Sequence, residues 1–131
     1  MRFAPVLLLA PILAACAATP PAPALDAVGA AQLSSLLAGR VAGKPTRCLP
    51  FPANSSRIIN ANTVAYQVGT QLYVNRMRGN CISDPSLTLV TRVTGSAPCS
   101  GDVAHLVHSS SNVPAGSCVL GDFVPYALIR P

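Results

Sequence analysis

The chain has 131 residues, enough for one small domain but not for two. Nine Lys and Arg against four Asp give a net charge of +5. Arg40, Lys44, Arg47, Arg57, Arg76, Arg78, Arg92 and Arg130 are scattered rather than run together, which argues against nucleic acid as the partner.

The apolar fraction of 50% overstates the core, because 20 residues are Ala and many of these fall near the N-terminus. With no Trp, three Phe and three Tyr, the core is left to Val, Leu and Ile.

Met1-Arg2 is a short basic start, and residues 3–13 are apolar apart from Pro5 and Pro11. A stretch of about a dozen residues is too short to span a bilayer, which takes roughly twenty. Leu13-Ala14-Ala15-Cys16 closes it with small residues and a thiol, and so reads as the end of a bacterial lipoprotein signal. The chemistry needs that order, since the thiol receives the diacylglyceryl group. The expectation is that residues 1–15 are removed and that Cys16 is lipidated, with chains such as palmitate holding the protein to a membrane. An ordinary secretory signal cut among residues 15–18 is the alternative, and would leave Cys16 an incidental thiol. Ala17 rather than Asp follows the anchor, which resembles outer-membrane cargo and predicts the periplasmic face of a Gram-negative outer membrane.

Residues 16–24 form the lipidated Cys and a Pro/Ala tether, with Pro20, Pro21 and Pro23 favouring an extended, semi-rigid spacer. Residues 25–39 predict one short helix, with Leu25, Val28, Leu33, Leu36 and Leu37 close to one face and Gly39 as the stop. A disulfide-stapled β domain is expected over residues 46–131. Within it, residues 57–59 start a first strand and Asn60-Ala61-Asn62 supplies turn chemistry. Residues 63–68 and 71–77 alternate around Gly69-Thr70 and predict a hairpin. Residues 87–94 and 102–108 read as two further strands. Residues 109–116 read as a polar loop and residues 117–126 as a sixth strand. Five to six short strands with turns every eight to twelve residues predict a mainly β fold, a small antiparallel barrel or sandwich.

Several short runs carry a resemblance: the Thr63-Val64 to Tyr66 strand, Tyr73-Val74-Asn75-Arg76 leading to Gly79-Asn80-Cys81, Cys99-Ser100-Gly101-Asp102, and Ser117-Cys118-Val119-Leu120-Gly121-Asp122-Phe123. Over residues 46–126 this resembles a family of small exported bacterial proteins with a four-cysteine domain of unknown function. The resemblance implies a shared β domain and supplies no activity.

Cysteine arithmetic fits the export signal. With Cys16 used by lipid, Cys48, Cys81, Cys99 and Cys118 remain, an even number suited to two disulfides in an oxidising compartment. No two have the C-x-x-C spacing of a zinc site. Of three connectivities, the expected one joins Cys81 to Cys99 across the 87–94 strand and Cys48 to Cys118, tying the entry of the domain to its last strand.

The candidate chemistry is sparse. His105 and His108 are three apart, an offset that on a strand sends them to opposite faces, and a metal would want a third ligand. Asp102 falls in a turn where a carboxylate commonly accepts backbone N–H groups. Asp84 and Asp122 also sit at turns, and with no Glu a paired-carboxylate hydrolase has little to build on. Arg76 and Arg78 flank Met77 on one side of a strand and, with Arg92, are candidates for contact with an anion or a partner. Tyr73, Tyr126 and the 109–116 loop would complete that rim. No cofactor is expected. The sequence therefore predicts a lipid-anchored envelope protein that binds or builds rather than catalyses, facing an envelope protein or anionic lipid or glycan. The alternative is a small metal-binding or hydrolytic protein using His105, His108 and Asp102.

Overall fold

The computed structural model describes residues 27–50, 52–79, 82, 84 and 86–130. The expected signal, the expected lipidation site Cys16, the expected tether, Leu25 and Cys81 lie outside the described residues. Helix α1 spans Ala27–Leu37. Eight strands follow: β1 Arg40–Ala42, β2 Ser55–Asn60, β3 Thr63–Val68, β4 Gln71–Arg76, β5 Leu87–Thr91, β6 Val103–His108, β7 Pro114–Val119 and β8 Phe123–Leu128. They form two antiparallel sheets, one ordered β1-β8-β4-β3-β2 and the other β5-β6-β7. The fold is mainly β, as its turn spacing predicts, and it is sandwich-like; the two sheets do not close into a barrel.

Alternation sorts side chains into two cores. Val64, Tyr66 and Tyr73 point from the larger sheet toward the smaller one, meeting Leu87, Leu106, Leu120 and Phe123. Phe123 and Leu106 are fully buried, each worth about 1.5–3 kcal/mol of burial. Tyr66 meets Phe123 edge-on, with ring centroids 5.8 Å apart. The opposite face of the larger sheet presents Ile59, Ala65 and Val74 to Leu33, Leu36 and Leu37 of α1.

The helix buries Gly29 and Leu33 and leaves Val28 exposed, so its packed stripe runs at 29, 33, 36 and 37. That is the i, i+4, i+7, i+8 spacing of one face, from which position 28 is rotated by about 100°. Gly39 ends the turn at φ 69°, a left-handed conformation suited to glycine.

The strand count exceeds the expected five to six for two reasons. Arg40–Ala42 is short, yet it pairs with β8, and the Arg40 guanidinium fastens it by donating to the Thr70 carbonyl at 2.9 Å. The expected single strand over residues 117–126 is two strands in different sheets. The chain crosses between them at Leu120, whose N–H donates to Asp102 O at 2.9 Å. Residues 114–116, expected in a loop, belong to β7.

The expected disulfide pairing is corrected. Cys48 is bonded to Cys99, 51 residues away, so neither Cys48–Cys118 nor Cys81–Cys99 forms. Leu49 N–H donates to Pro98 O and Ser100 N–H to Arg47 O, at 2.8 and 2.6 Å. These bonds make a two-rung ladder with Cys48 directly opposite Cys99, the close, non-hydrogen-bonded type of antiparallel pair. Sequence spacing carries no trace of this rung, because the segment around Pro50 and Pro52 does not read as a strand. Cys118 is also disulfide-bonded.

Candidate functional site

The smaller sheet sets the positions of most residues singled out from sequence. Arg78 forms a bridge with Val119, Val119 lies opposite Val103, and Arg92 N–H donates to Val103 O. Arg78, Val119, Val103 and Arg92 therefore form one transverse row. Its ends are three strand spacings apart, about 14 Å. Arg92 flanks Val103, which is 40% exposed, and Arg78 flanks Val119 at the other end of the row. Such a row matches an extended acidic surface better than one small anion. Arg76 stands apart from it, in a cleft of about 150 Å³ on the helix-side face of the larger sheet, shared with Asp122 and Tyr126. Tyr73, expected at the rim, is buried, and its hydroxyl donates to Gln71 Oε1 at 2.9 Å.

His105 and His108 occupy the same strand. His105 lies opposite Val90 and Ser117, while His108 lies opposite Leu87. Since Val90 is exposed and Leu87 buried, the imidazoles leave the strand on opposite faces. Asp102 has a structural occupation: one carboxylate oxygen accepts from Cys99 N–H at 2.8 Å and the other from Thr94 Oγ1 at 3.2 Å. It thereby fixes the loop that presents Cys99 to Cys48. Asp84 accepts from Ser86 N–H at 2.8 Å, and that hydrogen bonding holds its carboxyl below the usual value. Among the described residues, no three of His, Cys, Asp and Glu gather as metal ligands do.

Two features escape sequence reading. One is Asn75, fully buried at an inward position of β4, whose amide donates to Gly121 O at 2.7 Å and accepts from Gly121 N–H at 3.1 Å. The only sequence signal is a polar residue on the core side of an alternating strand. The other is a seam between β2 and β5, each an edge strand of its sheet. It holds a cleft of about 400 Å³ lined by Ser56, Arg57, Ile58, Val64, Leu87 and Leu89, among others.

Tyr66 stands inside the sandwich near Thr91 of β5. Its buried hydroxyl lacks a hydrogen bond of good geometry among the described residues. Burial pushes its pKa up to about 12, and proximity to Thr91 offsets this only partly.

No family model matches the chain, and neither curated proteins nor solved structures yield a match.

Proposed function

We propose that this chain is a lipid-anchored protein of the bacterial cell envelope, facing the periplasm, whose β domain binds or braces a partner rather than transforming a substrate. The observation that carries the anchoring is the run Leu13-Ala14-Ala15-Cys16 behind a short apolar core. The Cys48–Cys99 disulfide supports it, since such bonds persist in oxidising compartments. The four-cysteine spacing supports placing the chain with the small exported proteins it resembles.

The binding reading rests on how the polar side chains are used. Asp102 and Asp84 are engaged by local N–H groups, and His105 and His108 face opposite sides of one strand. Acid–base catalysis needs two such groups within reach of one reacting atom. The Arg78 to Arg92 row offers instead a broad basic surface, suited to an acidic envelope protein, anionic lipid or glycan.

Crosslinking in the native envelope tests the reading. The expected product is a discrete, reproducible adduct that weakens when Arg78 and Arg92 are replaced by Glu. A purified protein that turns over a substrate and loses this activity on His105→Ala or His108→Ala would replace it with the enzymatic reading.

A further inference from the structure

The seam between β2 and β5 has a definite hydrogen-bonding phase. Met77 N–H donates to Asn62 O at 2.7 Å, and Thr63 lies opposite Arg76. Residues 64 and 66 of β3 therefore bond to β4, while 63, 65 and 67 turn toward β2. With Arg57 opposite Ala65 and Ile58 opposite Val64, Arg57 is engaged with β3. The backbone N–H and C=O groups of Ser56 and Ile58 face out of the sheet. On the other side, Arg92 N–H donates to Val103 O, and Val90 and Thr88 lie opposite His105 and Val107. The same phase leaves the backbone groups of Leu89 and Thr91 facing outward, as it does those of Leu87, whose N–H is taken by Asp84 O at 3.2 Å. Among the described residues, the outward groups of Ser56 and Ile58 on one side and of Leu89 and Thr91 on the other have no strand partner, and they border one cleft floored by Val64 with Ile58, Leu87 and Leu89.

We propose that this seam is a binding site for an extended, acidic segment of a partner protein, which enters as an added strand and pairs with β2, β5 or both. Strand addition supplies the hydrogen bonds that free edges lack. Alternation then dictates the guest's side chains: small or branched apolar residues facing Val64 and Leu89, and carboxylates on the opposite face, where Arg57 is exposed. The cleft is lined in part by Arg57 and by no acidic residue among the described residues, and the whole chain is basic at +5.

The protein's own tether is a poor occupant, because Pro20, Pro21 and Pro23 lack the N–H a strand must donate. A second copy joined edge to edge through β2 would bring two Arg57 side chains together. The proposal rests on the binding reading above and adds to the Arg78 to Arg92 row an edge at which the partner's backbone pairs.

The test uses the full chain in detergent, titrated with an end-blocked seven-residue peptide of alternating valine and glutamate and followed by backbone amide NMR. Saturable shifts are expected at Ser56, Ile58, Leu89 and Thr91. A valine–lysine peptide should bind roughly tenfold more weakly, and Arg57→Glu should reverse that order. Ser56→Pro, which removes an outward-facing N–H, should weaken the glutamate peptide without changing the circular dichroism spectrum. Arg57→Glu alters an exposed side chain and so remains decisive if Ser56→Pro fails to fold.

No saturable shift at millimolar peptide, shifts confined to another surface, or equal binding of the two peptides would each overturn the proposal. A dimer that Ser56→Pro dissociates and the peptide leaves intact would overturn it in favour of a second copy. An envelope crosslink that persists unchanged in both variants would overturn the seam as the site while leaving the binding reading standing.

Discussion

The side-chain amide of Asn75 brackets the backbone of Gly121, donating to its carbonyl at 2.7 Å and accepting from its N–H at 3.1 Å. This clamp sits where the chain leaves the smaller sheet for the larger one. A Cβ at position 121 would overlap the Arg76 carbonyl oxygen, so backbone there must approach β4 closely and only glycine fits. Asn75→Ala is expected to cost about 2–4 kcal/mol, since it strands two buried backbone groups. Gly121→Ala should cost at least as much, because the obstacle is backbone rather than a movable side chain. Urea unfolding of both variants checks this; a loss below about 1 kcal/mol for each would mean the crossing is held by other contacts.

The Cys48–Cys99 bond closes a long loop. A separation of 51 residues corresponds to about 4 kcal/mol in the chain-entropy model. Replacing both cysteines by serine should lower the urea midpoint accordingly. Non-reducing peptide mapping is expected to yield the Cys48–Cys99 linked peptide. If Cys16 carries lipid, cysteine count leaves Cys81 as the partner to be recovered with Cys118.

Tyr66 predicts an alkaline transition. An unfolded tyrosine ionises near 10, whereas burial raises the folded value to about 12. The folded state therefore holds its proton when the unfolded state has lost it. This contribution, about 2–3 kcal/mol, is fully present below pH 10 and is lost as pH rises through 12. Tyr66→Phe should remove this loss of stability and, by deleting a hydroxyl without a hydrogen bond, leave neutral-pH stability unchanged or raise it by about 1 kcal/mol. Stability measured by urea unfolding at pH 8 and pH 11 for both proteins provides the check.

Asp102 and the histidines should separate cleanly. Asp102→Ala is expected to cost about 1–2 kcal/mol through the lost acceptor for Cys99 N–H. His105→Ala with His108→Ala should leave cellular function intact if the protein still folds. A well-folded double histidine variant that behaves like a gene deletion would reinstate the metal or hydrolytic reading.

Cys16→Ser tests the anchor. The variant should accumulate as an uncut precursor or leave the membrane fraction, read by gel mobility and fractionation. Unchanged size and unchanged membrane retention would count decisively against lipidation.

Sequence by itself determined what depends on local rules. The hairpin of residues 63–76 is legible because a two-residue turn joins two alternating runs, and its register follows from turn length. Helix α1 and the mainly β class are legible for similar reasons. The opposite faces of His105 and His108 follow from strand period alone.

Only the tertiary structure decided which strands share a sheet, and the consequences ran through everything nonlocal. Residues 117–126 look continuous in sequence because Leu120 is as apolar as its neighbours; the break at Gly121 exists because β4 crowds it from the side. Cys48 meets Cys99 because two irregular segments form a rung, an event that no spacing between cysteines encodes. The paired and unpaired edges of β2 and β5 are likewise invisible in sequence, since a strand's period fixes which face each side chain takes but not which neighbour, if any, its backbone finds.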